Sequence, residues 1–232
     1  MNKLKKIVPI ALLLTSISSE ALADNWNIGA SASYGNIDGT ASDTQTTSAG
    51  PTVAQDRGVK SGDADFPFAS IFLEYAKTMD KDLDIIIGLD YVPFKAEIDS
   101  KSFADTSLEA GSTASGTRKA KLELENYATL YLQPTYKIGG GTAVFGKVGY
   151  IHGDVKISGS NTATGSTINT ADTLNGYVVG LGVQHNINKN VFVRLEGSYT
   201  DHDSVTATDS KNTKFTADSE IIAGKLSIGY SF

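Results

Sequence analysis

The chain has 232 residues, with 20 Lys+Arg against 26 Asp+Glu and no cysteine. The net charge of −6 argues against nucleic-acid binding, which needs basic patches. The lack of thiols excludes disulfide cross-links, thiolate metal sites and a cysteine nucleophile.

The first element in chain order reads as an export signal. Lys3, Lys5 and Lys6 form a positive region, Ile7 to Leu14 is a short apolar stretch, and Ala21-Leu22-Ala23 presents a small-x-small cleavage pattern. The apolar run is too short for the roughly 20 residues of a membrane-spanning helix. Cleavage after Ala23 divides the chain into a signal over residues 1–23 and one mature domain over residues 24–232. The mature chain then carries 17 basic and 25 acidic residues, a net charge of −8.

Eight segments of period two follow, each with one apolar parity class and one small or polar class. They run from Asn25 to Tyr34, Phe68 to Lys77, Leu83 to Pro93, Glu123 to Lys137, Thr142 to Gly153, Gly176 to His185, Val191 to Asp201 and Ile221 to Phe232. In the first, Trp26, Ile28, Ala30, Ala32 and Tyr34 oppose Asn27, Gly29, Ser31 and Ser33. The connections alternate in length. Thr78–Asp82, Ile138–Gly141 and Asn186–Asn190 are short and rich in turn residues. Gly35–Pro67, Phe94–Leu122, Asp154–Asn175 and His202–Thr216 are long and polar. Short turns on one side and long loops on the other are the habit of an outer-membrane barrel.

The aromatic residues fall at segment ends. Tyr34, Tyr91, Tyr150, Tyr177 and Tyr199 close the outer ends, and Trp26, Tyr75, Tyr136, Tyr230 and Phe232 the inner ends. Two such girdles mark two membrane interfaces. The expected fold is therefore all-β, an eight-stranded antiparallel up-and-down transmembrane β-barrel in the outer membrane. Its termini and short turns lie on the periplasmic side, and its long loops on the outside.

The whole mature chain resembles the small eight-stranded outer-membrane barrel family of OmpA and OmpX type, including the opacity-protein-like porin family and adhesins. The stretch Lys225-Leu226-Ser227-Ile228-Gly229-Tyr230-Ser231-Phe232 carries the resemblance most specifically. Val144-Phe145-Gly146-Lys147-Val148-Gly149-Tyr150 and Phe192-Val193-Arg194-Leu195-Glu196-Gly197-Ser198-Tyr199 add to it. The resemblance implies that Phe232 ends the strand read by the barrel-assembly machinery.

Parity places Glu74, Asp90, Glu125, Lys147, Arg194, Glu196 and Lys225 in the lumen. An eight-stranded barrel is just wide enough to fill with side chains, so these charges are expected to pair as a plug rather than to line an ion path. No metal spacing joins His152, His185 and His202, and no metal or other cofactor is expected. His202-Asp203-Ser204 with Glu220 resembles the His, Ser and carboxylate set of the outer-membrane lipid A deacylases. The same residues also suit a polar strand end and turn, which is the preferred reading. No catalytic residue is assigned.

The long segments have the composition of flexible polar loops. Within them Ile98, Phe103, Leu108 and Ile157 suit either strand extensions or contact residues, and extended hairpins offer edges for added strands. The expected protein is a monomer without enzymatic activity. It sits in outer-membrane lipid and lipopolysaccharide and shows its loops to a host or surface ligand. A small pore and a lipid A-modifying enzyme are the alternatives.

Overall fold

The computed structural model describes residues 24–45, 55–106, 115–162, 165–208, 210 and 213–232. The export signal expected over residues 1–23 lies outside the described residues, as does Leu108. The strands are β1 (Asp24–Gln45), β2 (Gln55–Asp80), β3 (Leu83–Val92), β4 (Ala96–Thr106) and β5 (Ser115–Gly139), then β6 (Thr142–Asn161), β7 (Ser166–Asn186), β8 (Val191–Thr208) and β9 (Thr213–Ser231). Every ladder is antiparallel. β1 pairs with β9, and β3 with both β2 and β5, so the sheet closes on itself. β3 and β4 are two lengths of one stave, interrupted at Pro93-Phe94-Lys95. The nine strands thus make the eight staves of an up-and-down barrel.

The period-two pattern sorts side chains between lumen and lipid. On β1, Ile28 and Tyr34 point outward and Asn27, Ser31 and Ser33 are buried inside. The outward band includes Ile71, Leu73, Leu130, Leu132, Val179, Leu181, Leu226 and Ile228. In water this would be an untenable apolar surface, and in a bilayer it is the lipid-facing wall. The turn between β5 and β6 runs through Gly139, Gly140 and Gly141 at φ of 95°, 60° and 75°, a path that side chains other than glycine resist.

Inside the wall, aromatic rings lie on cross-strand glycines. Phe72 faces Gly29, Tyr131 faces Gly88, Phe145 faces Gly182 and Phe192 faces Gly229, each in direct register. A Cβ at any of these four glycines would come within 2.2–2.3 Å of the facing ring. The narrow lumen holds its large rings only because the opposing position has no side chain.

The long segments are not the polar loops that their composition suggested. Most of their residues continue the strands; β1 runs eleven residues past Tyr34, to Gln45. At about 3.3 Å per residue and a tilt of about 40°, that is a wall roughly 28 Å tall above the girdle. The apolar residues there are sparse, but they face inward. Leu124, Val155, Leu174 and Val205 form one buried cluster, with Leu122, Tyr127 and Ile157 packed against it. Phe66, Ile221 and Ala223 form another, with Ile37 and Phe68. Ile157 is thus a packing residue of an extended strand, whereas Ile98 and Phe103 lie on β4. Above the girdle the hydrophobic pattern is inverted: apolar inside, polar outside. Two staves switch phase by a bulge, one at Asn126 (φ 53°) in β5 and one between His202 and Val205 in β8.

Candidate functional site: the charged interior of the barrel

β2 places Glu74 and β8 places Arg194 on the inner face, with β1 and β9 between them. Both side chains are buried. The Arg194 guanidinium donates two bonds to the Glu74 carboxylate, Nη1 to Oε1 and, at 2.8 Å, Nη2 to Oε2. Tyr131 Oη donates to Glu74 Oε1 at 2.5 Å and Asn27 Nδ2 to Oε2 at 3.0 Å. Arg194 Nε donates to Gln184 Oε1 at 2.7 Å. The guanidinium lies 4.5 Å from the Phe192 ring centre and 5.6 Å from that of Phe72. Two charges stripped of water need this many partners, because an unpaired buried ion is costly.

Two further pairs stand in the same lumen. Lys147 Nζ donates to Glu196 Oε2 at 2.5 Å and sits 4.4 Å over the Tyr131 ring. Lys225 Nζ donates to Asp90 Oδ2 at 2.8 Å. Three cations therefore meet three carboxylates, and the lumen is electrically neutral at membrane depth. A cavity of about 50 Å³ remains beside the two upper pairs, room for a water or two. Phe72, Phe145 and Phe192 fill the lumen around Arg194, and the Leu124 cluster fills it on the outer side.

Glu125 corrects the expectation of a seventh lumen charge. The extra residue at Asn126 shifts the parity of β5, so that Leu124 turns inward while Glu125 pairs with Lys95 at 2.7 Å on the outer rim. The sequence reading also passed over Asn27, Tyr131 and Gln184, which complete the Glu74–Arg194 group. Their signal was present, since all three are polar residues in the inward parity class.

The interface aromatics lie on the outer face. Tyr34, Tyr136, Tyr150, Tyr177, Tyr199 and Tyr230 are exposed, and Trp26, Tyr75 and Tyr91 partly so. The Trp26 and Tyr75 rings meet at a tilt of 57°, with centroids 5.3 Å apart, and Tyr150 and Tyr177 meet edge to face at 5.5 Å. Phe232 exchanges two backbone bonds with Trp26, at 2.9 and 3.1 Å.

His202 and Ser204 are not brought together. The bulge after His202 leaves His202 inside, where Nε2 meets Tyr127 Oη at 3.1 Å and Nδ1 meets Ser219 Oγ at 3.3 Å. Burial holds its imidazole below the ordinary histidine range. Ser204 faces outward and donates to Asp218. His152 and His185 are exposed and bond Asn175 and Thr142. Among the described residues no group of His and carboxylates is arranged to hold a metal.

A closed antiparallel barrel with a lipid-facing apolar band and an ion-paired interior defines the class of outer-membrane β-barrels. The chain belongs to the outer membrane protein beta-barrel domain family, whose profile matches residues 10–219. Among solved structures it is similar to the outer membrane protein OprG from Pseudomonas aeruginosa, with 17% identity over 91% of this chain and 97% of that one and a TM-score of 0.51. It is also similar to Ail, the attachment invasion locus protein of Yersinia pestis, with 15% identity over 86% and 98% of the two chains and a TM-score of 0.40. The outer membrane protease OmpT from Escherichia coli matches at 12% identity over 94% and 99%, with a TM-score of 0.47. At these identities the likeness is one of fold. No curated protein sequence matches the chain.

Proposed function

We propose that this protein is a non-conducting, non-enzymatic outer-membrane scaffold that holds a rigid polar wall above the membrane for contact with other surfaces. The observation that carries this reading is the neutral plug of Glu74–Arg194, Lys147–Glu196 and Asp90–Lys225, packed between rings on one side and aliphatic side chains on the other. A conducting path needs hydrated, unpaired polar groups along its length, and these charges are already paired with one another. The apolar filling of the outer extension makes it a stiff support, and recognition tends to sit on segments held by such supports. Export through the signal over residues 1–23, assembly through the strand ending at Phe232, and a monomeric state belong to the same reading.

The test is reconstitution in a planar lipid bilayer. The expected record is a silent membrane, with steps appearing when Arg194 and Glu74 are both replaced by alanine. Stable, well-resolved openings of the unaltered protein would overturn the scaffold reading in favour of a small pore.

A further inference from the structure

The lipid-facing wall is notched on β6, β7 and β8. Tyr150, Tyr177 and Tyr199 mark the outer girdle on these strands, and depth is counted from them. The second residue below the girdle is Val148, Val179 and Gly197 in turn, and the fourth is Gly146, Leu181 and Leu195. Val148, Leu181 and Leu195 project toward lipid. Gly146 and Gly197 leave notches beside them, and a shallow apolar groove of about 860 Å³ crosses the face. These glycines differ from those beneath the lumen rings. A Cβ on Gly197 would meet nothing within 4 Å, and one on Gly146 only Leu181, at 3.9 Å. The single barrel therefore has no steric need for either, although glycine weakens a strand. Such a glycine suits the close approach of another surface from outside.

Above the girdle the same three strands carry opposite charges on their two flanks. The outer face of β7 is uncharged, through Asn175, Thr173, Ala171, Asn169 and Thr167. On β8, Asp201 and Asp203 stand exposed, at the second and fourth positions above Tyr199. On β6, Lys156 holds the sixth position above Tyr150. Its cross-strand neighbour Glu123 takes a bond from Lys121 at 3.0 Å. Asp154, also on β6, is turned to Asn126 Nδ2 at 2.7 Å. Around the wall from β8, the strands β9, β1 and β2 expose Glu220, Asp38, Asp63 and Asp65. A contact between two copies centred there would oppose like charges, whereas one centred on β7 opposes unlike ones.

We propose that the β6–β8 face pairs two copies of this chain side by side in the membrane. Both copies insert in the same sense, so a two-fold axis between them runs along the membrane normal. With that axis at β7, β6 of each copy faces β8 of the other. Identical copies ride at one depth, so the levels match. Leu195 of each copy enters the notch at Gly146 of the other, and Val148 meets the notch at Gly197. Lipid gives apolar surfaces no drive to associate, so close packing at small residues has to supply it. Above the girdle, Lys156 of each copy meets Asp201 and Asp203 of the other. Lys156 and Asp203 differ by two residues in height, roughly 5 Å at a tilt of about 40°, which the four-carbon stem of lysine spans. The pairing goes beyond the scaffold reading and leaves it intact, because each barrel folds and closes alone before two of them meet.

The chain has no cysteine, so one introduced thiol reports contact. Thr173→Cys places it on β7 beside the axis. Thr40→Cys places it on β1, beyond β8 and β9, as the control for chance collision. Each variant is inserted in the outer membrane, oxidised and run on a denaturing gel. The expected result is a disulfide-linked dimer from Thr173→Cys, about tenfold more abundant than from Thr40→Cys. Gly197→Leu in the Thr173→Cys background fills the notch and is expected to cut the linked fraction about fivefold. Gly224→Leu, equally open in the single barrel but on β9, is expected to leave it unchanged. Lys156→Asp is expected to cut it as Gly197→Leu does, and adding Asp201→Lys and Asp203→Lys to restore it, since the charges then exchange flanks. The heat-dependent gel shift identifies the folded barrels among the variants. Equal linking at the two positions, linking that survives both Gly197→Leu and Lys156→Asp, or linking lost with Gly224→Leu overturns the proposal. A groove filled by an acyl chain would leave Thr173→Cys unlinked, and overturns it too. Bilayer recordings test the scaffold reading separately, since a conducting barrel would pair in the same way.

Discussion

Tyr127 of β5 reaches His202 of β8 across the barrel, Oη to Nε2 at 3.1 Å, and each residue sits beside the bulge of its own strand. The contact marks the floor of the outer apolar filling. Burial holds His202 neutral, against the opposing pull of the Ser219 bond and of Asp201 and Asp203. The unfolded chain takes up a proton near pH 6.5, whereas the folded one resists until lower pH. Stability from this group is therefore fully present above about pH 6.5 and is lost as the pH falls below it. Urea midpoints in micelles should drop between about pH 7 and 5, and His202→Gln, which does not titrate, should flatten that slope. An unchanged slope would dissociate the histidine from acid stability.

Arg194 is expected to be far more sensitive than its partners at the rim. Arg194→Met leaves the Glu74 carboxylate buried without a cation, at a cost of about 3–5 kcal/mol. The double variant Glu74→Leu, Arg194→Met should cost less than Arg194→Met alone, because no orphaned charge remains. A double-mutant cycle read from equilibrium unfolding in micelles measures the difference.

The ring-on-glycine pairs predict compensation. Gly229→Phe places a side chain where the Phe192 ring lies 2.2 Å away, and should block refolding or cost several kcal/mol. Exchanging the pair, with Phe192→Gly added, returns the ring to the opposite strand and should recover most of the loss. The heat-dependent gel shift of a folded barrel reads the outcome.

Asn126 tests the phase switch of β5. At φ 53° a glycine is accepted, so Asn126→Gly should be nearly neutral, apart from the lost bond to Asp154 Oδ2 at 2.7 Å. Asn126→Val, β-branched in the left-handed region, should cost about 1–2 kcal/mol and loosen the Leu124 cluster. Amide exchange along residues 120–130 would show the loosening directly.

These residues also show where the sequence was readable. Within the membrane each stave carries four or five apolar residues at period two, enough to set both strand and face. Above it a stave has one or two, such as Ile37 on β1 or Phe66 on β2, spread among Ser, Thr, Gly and Asp. That density falls below what a pattern can separate from a loop. Glu125 was misplaced because one extra residue reverses every face beyond it, and an asparagine announces a bulge no more loudly than a turn. The partners of the lumen charges were beyond reach for another reason. Glu74 and Arg194 are 120 residues apart, and only ring closure across β1 and β9 brings them together.

The inversion of pattern at the girdle also behaves like a waterline. Just above it Asp63, Asp38, Glu220 and Asp201 lie in one row across four strands, each outside the wall. Sinking the barrel by two such rows, roughly 10 Å at about 3.3 Å per residue, would draw four carboxylates toward hydrocarbon. Lifting it by the same amount would expose Leu130 and Leu226 to water. The draught of the molecule is thus set from both directions by its own side chains. The projecting wall floats at one height whatever neighbours it meets.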